Sequence, residues 1–161
     1  SWGRPIRPLV ASSYFRKPGI GPLLSRLRCI PVDGSEALEL AVVEIEAGWS
    51  VAIMPEGRVV PPEEWNADGV GRLHSGVGRL ALDTGLPVVA NGASGTEGFW
   101  PRGATGPRIR PWGRYPLALR SEVLGVITAV TSREATGIVR DALVRCTTQA
   151  DLVTREMRRG R

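Results

Sequence analysis

Ser50-Val51-Ala52-Ile53-Met54-Pro55-Glu56-Gly57-Arg58 is the stretch on which the reading of this chain turns. Five residues, Ser50 to Met54, form a run of strand length, and Pro55 and Gly57 punctuate it. A carboxylate set just beyond a strand stands where open α/β sheets take their ligands, at the carboxyl ends of the strands. Glu56 is therefore a candidate binding residue. The competing use is a solvated turn carboxylate. Gly57 lets backbone approach a ligand closely, and the Arg58 guanidinium suits a phosphate or carboxylate. A polar loop rich in Pro, Glu, Asp and Gly follows, to about Gly71.

Outward from this stretch, short apolar runs alternate with helical patterns. Upstream, Pro8-Leu-Val-Ala-Ser reads as a strand and Lys17-Pro18-Gly19 as a breaker. Ile20, Leu23, Leu24 and Leu27 recur at helical spacing. Cys29-Ile-Pro-Val reads as a second short strand, ending at Asp33-Gly34. Ser35 and Glu36 open a helix with Leu38, Val42 and Ile45 on one face and Gly48 at its close. Downstream, Gly76 to Thr84 reads as a helix with Val77, Leu80 and Ala81 inward, and Pro87-Val-Val-Ala as another strand. Tyr115-Pro-Leu-Ala-Leu and Arg108 to Gly113 read as extended segments. Ser132 is expected to cap a final helix whose apolar stripe is Ile138, Val139, Ala142, Leu143, Cys146, Val153 and Met157. The alternation from Leu9 to Ala93 predicts an α/β fold, a mostly parallel sheet flanked by helices, with Pro55-Glu56-Gly57 at the carboxyl end of a central strand.

Composition sets the outer bounds. A chain of 161 residues, 42% hydrophobic and 23% charged, is expected to form one domain over 1–161. No apolar stretch approaches the ~20 residues of a membrane span, and no secretory signal is visible. The net charge is +5, and Lys17 is the only lysine. Arginine favours anionic partners. Aromatic residues make up 6% and are dispersed, so a nucleic-acid partner is not expected. Cys29 and Cys146 do not form a metal-ligand pattern and are read as two buried thiols; no metal is expected.

Three pieces fall in a telling order: Lys17-Pro-Gly-Ile-Gly-Pro-Leu-Leu leading to Cys29-Ile-Pro-Val-Asp; the strand into Met54-Pro-Glu-Gly-Arg58; and His74-Ser-Gly-Val-Gly-Arg-Leu-Ala-Leu-Asp-Thr-Gly-Leu-Pro-Val-Val-Ala followed by Ser94-Gly95-Thr96. Together they resemble the glycerolipid acyltransferases of the lysophosphatidate type. The best-matched core is 4–117, with the C-terminal helix at 132–159. The resemblance implies a glycerol-3-phosphate-acyltransferase-like fold. It implies transfer of a fatty acyl group from acyl-CoA or acyl carrier protein to glycerol 3-phosphate or a lysophospholipid, in phospholipid synthesis. Beyond the acyl donor, which is a substrate, no cofactor is implied. Pro55, Glu56, Gly57 and Arg58 become the substrate-binding residues, and the location becomes cytoplasmic, peripheral to the membrane.

The sequence also departs from that pattern. His74 is the only histidine, and five residues on stands Arg79, so the family's His-x-x-x-x-Asp motif is absent. Truncation ahead of the strand at Leu9–Ala11 is the expected cause. The chain alone is then expected to be inactive, with no catalytic residue assigned. Gly34 stands where the family has arginine, Ser12 where it often has lysine, and Ala90 where it has a second proline. A catalytically inactive homologue that binds anionic lipid, or another anionic partner, is the alternative. Trp100, Trp112 and the terminal Arg155, Arg158, Arg159 and Arg161 are further candidates for contact with a lipid surface, or simply loop anchors and a solvated helix end.

Overall fold

The computed structural model describes residues 5–34, 36–57, 68–101, 104, 106, 108 and 115–160. The chain divides into two compact units, Ser1–Arg58 and Val59–Arg161.

In the first unit, strands β1 (Ile6–Ala11), β2 (Ile30–Val32) and β3 (Ser50–Ala52) form a parallel sheet in the order β2-β1-β3. β3 pairs with the first half of β1, Ile6 to Pro8, and β2 with the second half, Leu9 to Ala11. Pro8 therefore falls at the changeover between partners, where a missing N–H is tolerated. Parallel strands need crossovers. α1 (Ser12–Phe15) and α2 (Ile20–Arg26) connect β1 to β2, and α3 (Glu36–Glu46) connects β2 to β3. Among the described residues β3 is an outer strand of this sheet rather than a central one.

Both longer helices of this unit end in the same way. The Trp49 amide donates to the Glu44 carbonyl and the Gly48 amide to Ile45, a Schellman closure with Gly48 in the left-handed position. α2 repeats it with Cys29 donating to Leu24 and Arg28 to Ser25, but the left-handed residue is Arg28, at φ 56°. The Arg28 guanidinium stacks on Trp49 at 5.5 Å, and that of Arg7 on the same ring at 5.3 Å. Arg7 also donates to the Arg28 carbonyl at 3.0 Å and pairs with Glu44. This cluster ties β1, α3 and the entries to β2 and β3 together.

The second unit holds α4 (Gly76–Thr84), β4 (Pro87–Ser94), α5 (Thr96–Phe99), β5 (Ala118–Val126) and α6 (Ser132–Arg159). α4 has the bounds and the buried face, Val77, Leu80 and Ala81, expected from its sequence. β4 pairs antiparallel with β5 over its full length. It was expected as part of a parallel array; its partner strand was only partly legible. The middle of β5, Arg120-Ser121-Glu122, is polar and hides the alternation. Those side chains are satisfied in the fold: Ser121 donates to Asn91 at 2.6 Å, and Arg145 forks Glu122 at 2.6 and 3.0 Å.

α6 lies on one face of this pair through a stripe of small residues, Ala135, Val139, Ala142, Cys146, Ala150 and Thr154. The expected stripe caught Val139, Ala142 and Cys146, whereas Ile138 and Met157 are exposed. Small side chains win the buried positions because the helix comes close to the strand: a Cβ on Gly92 would run into the Cys146–Thr147 backbone. The helix cap is Thr131, not Ser132. Its hydroxyl accepts from the Glu134 amide, and the Glu134 carboxylate accepts from the Val130 amide. Cys29 and Cys146 are both buried free thiols, and burial pushes the Cys146 thiol up. Among the described residues, no helix is long and apolar enough to cross a membrane.

Candidate functional site

Because β1, β2 and β3 run parallel, the segments that leave them share one edge of the sheet. β1 releases the chain at Ser12, β2 at Asp33-Gly34, and β3 at Ile53. The register sets Ala11 opposite Val32, which makes Ser12 and Asp33 the next residues along. The Ser12 hydroxyl donates to the Asp33 carboxylate at 2.7 Å. Sequence reasoning singled out Ser12 as a departure from the family pattern and Asp33 as the end of a strand, but missed the pair. The residues are 21 apart, and only strand register joins them.

Beyond β3 the backbone closes a turn at Met54-Pro55-Glu56-Gly57, the Gly57 amide donating to the Met54 carbonyl at 3.0 Å. Proline's fixed φ suits the second position of such a turn. Gly57 takes φ 70°, a value that strains any residue with a Cβ. Pro55 and Glu56 are half-buried, while Met54 and Gly57 are exposed. Of the four expected substrate-binding residues, Pro55, Glu56 and Gly57 thus sit on one turn at the carboxyl edge of the sheet. Arg58 lies outside the described residues.

Gly34 takes φ 57° just beyond Asp33. The loop bends where the resemblance puts an arginine. The edge thus offers a hydroxyl bound to a carboxylate and a second carboxylate on a tight turn, groups suited to hydrogen-bonding an alcohol. Among the described residues, no three His, Cys, Asp or Glu side chains are grouped to hold a metal.

The other candidates lie in the second unit. His74 is exposed, two residues before α4. Ser94, at the end of β4, donates to Asp151 of α6 at 2.7 Å. That bond, with the Arg155 guanidinium against the cost of burial, holds the Asp151 carboxyl below the usual range. Trp100 donates to the Ala104 carbonyl at 3.2 Å and anchors its own loop; Trp112 lies outside the described residues. Arg155 pairs with Asp151 at 2.9 Å and Arg158 with Glu97 at 3.0 Å, so two of the terminal arginines are engaged in surface ion pairs.

A family model described as Acyltransferase matches residues 1–93. The chain belongs to the acyltransferase family. Ser12, Asp33, the Pro55–Gly57 turn and His74 all fall in the matched stretch, whereas β5 and α6 lie beyond it. No curated protein matches the chain. Among solved structures, the chain is similar to the crystal structure of the 1-acyl-sn-glycerophosphate (LPA) acyltransferase PlsC from Thermotoga maritima, with a TM-score of 0.58 and 18% identity. The likeness covers 86% of this chain and 54% of that one, so the chain spans about half the length of its structural relative. At that identity the likeness is one of fold, and it agrees with the expected α/β architecture.

Proposed function

We propose that this chain is the acceptor-binding part of an enzyme that moves a fatty acyl group from acyl-CoA or an acyl carrier protein to glycerol 3-phosphate or a lysophospholipid. The observation that carries the reading is the Pro55–Gly57 turn. It closes directly after a parallel strand, within the residues matched by the acyltransferase family. In this reading the carboxyl edge of the sheet receives the polar end of the acceptor. Glu56 holds an acceptor hydroxyl or Arg58, and Arg58 offsets the phosphate in place of the arginine that Gly34 replaces. A carboxylate facing a phosphate would repel it, so the cation takes the phosphate. The only histidine, His74, has Arg79 five residues on, so His74 is not assigned as the base for the acceptor hydroxyl.

The test is Arg58→Ala in the full-length enzyme. The acceptor KM rises about ten- to hundredfold, the equivalent of one charge-assisted hydrogen bond at ~1.5–3 kcal/mol, while the acyl-donor KM stays put. An unchanged acceptor KM, or an equal rise for both substrates, would place the anion site elsewhere.

A further inference from the structure

Charge in the first unit is sorted along the chain. Residues 1–32 carry six cations and no acid, whereas residues 33–57 carry six acids and no cation. The structure gathers part of the basic half on one feature, the α1–α2 corner between β1 and β2. The corner is fixed: the Gly21 amide donates to the Lys17 carbonyl at 2.9 Å, and a Cβ on Gly21 would meet the Phe15 carbonyl. From it project Arg16, Lys17, Arg26 and Arg28, all exposed, and among the described residues none of the four forms an ion pair. Arg7, the other described cation of this half, is paired with Glu44.

Two large apolar side chains stand among these cations. Leu23 and Leu27 are one helical turn apart, on one face, and are 54% and 57% exposed. Ile20 and Leu24, which share the same helical spacing, take the half-buried positions. Scattered exposed leucines need no explanation. Lys17 lies over the Tyr14 ring and Arg28 over Trp49, which leaves their charge without an acid; an exposed leucine pair on a corner carrying such cations is the pattern of a shallow interfacial contact.

We propose that the α1–α2 corner is the surface by which this chain docks on an anionic lipid bilayer, with Leu23 and Leu27 entering the headgroup boundary and Arg16, Lys17, Arg26 and Arg28 lying against lipid phosphates. The choice of occupant follows from charge and area. Two leucines are far less than the ~800 Å² per partner of a stable protein interface, whereas attraction to an anionic leaflet grows with each cation brought near it. The proposal rests on the acyltransferase reading only in that a lipid acceptor has to be met at a membrane.

The experiment is flotation of the 161-residue chain with phosphatidylcholine vesicles, with and without phosphatidylglycerol. Binding to the anionic vesicles alone, weakening with added salt, is expected. Arg16→Gln/Lys17→Gln/Arg26→Gln lowers the vesicle partition about a hundredfold, close to fivefold per cation. Leu23→Asn/Leu27→Asn lowers it at least about tenfold. Arg155→Gln/Arg158→Gln, on α6, leaves it unchanged. The proposal is overturned if the α6 variant loses as much as the α2 variants, if the anionic vesicles do not bind, or if an acidic carrier protein binds the corner in their place. None of these outcomes moves the acceptor KM of Arg58→Ala, so the two readings fail separately.

Discussion

The two units of this chain differ in what holds each of them together internally. In the second, α6 covers a two-stranded sheet and buries an apolar set that runs from Val70 through Ala90 and Ala142 to Ala150. In the first, the buried apolar residues among those described are Cys29, Ile30 and Ala41. Much of the remaining cohesion comes from the polar and stacking cluster around Arg7. The unit that carries the candidate site has the thinner core, and the better-packed unit lies mostly outside the family match. Binding elements are commonly drawn from the less stable parts of a fold, because loops that meet a ligand cannot also be buried.

The largest effect that would break this contrast is expected at Gly92. A valine there forces β4 and α6 apart, because the new Cβ meets helix backbone rather than a movable side chain. Gly92→Val should cost the second unit about 3 kcal/mol or more, seen as an earlier denaturant transition. An unchanged midpoint would mean that the close approach is not what holds the unit.

A smaller loss is expected in the first unit from Arg7→Met. The side chains of Arg7 and Glu44 are only 25% and 18% exposed, so removing the cation strands a half-buried carboxylate and one layer of the Trp49 stack. About 1–2 kcal/mol should go. Adding Glu44→Gln should recover part of it, and no recovery would assign the loss to stacking alone.

The smallest effect is acid sensitivity of the second unit. Burial raises the Asp68 carboxyl, but the Arg140 guanidinium and the Val70 amide outweigh it and hold it below its ordinary 3.8. Asp151 is lowered from the same value and Glu122 from 4.5, by Ser94 with Arg155 and by Arg145 respectively. A carboxyl lowered in the folded state stabilises it above the ordinary value, and that contribution is lost as the pH falls through the folded one. These pairs are partly or fully exposed to solvent, so each contributes little. The melting temperature should therefore hold down to about pH 5 and fall below it. In Asp151→Asn the fall should be shallower. A flat profile would remove these pairs from the account of this unit.

How much of this was legible beforehand depended on distance along the chain. The Met54–Gly57 turn could be read because proline and glycine act within four residues. α4 could be read because its apolar spacing and its closing Gly85 are equally local. The T-x-x-E signature at Thr131–Glu134 was present too, although the expected cap fell on the neighbouring serine. The exposure of Leu23 and Leu27 was not legible, because helical spacing gives a face, not what lies opposite it. In a short helix at a corner, what lies opposite is solvent.

The sequence alone determined the α/β class, the positions of the longer helices α2, α3, α4 and α6, the turn after β3 and the burial of both cysteines. Each rests on period, capping or a residue's own conformational limits, which act over a few residues. The tertiary structure alone decided which side chains meet. It set Ser12 against Asp33, gave β4 an antiparallel partner through the polar stretch of β5, selected small residues for the buried stripe of α6, and left the cations of the α1–α2 corner without acids. The reason is physical: strand register and helix approach are fixed by complementarity between segments tens of residues apart, and no local pattern in either segment encodes the other.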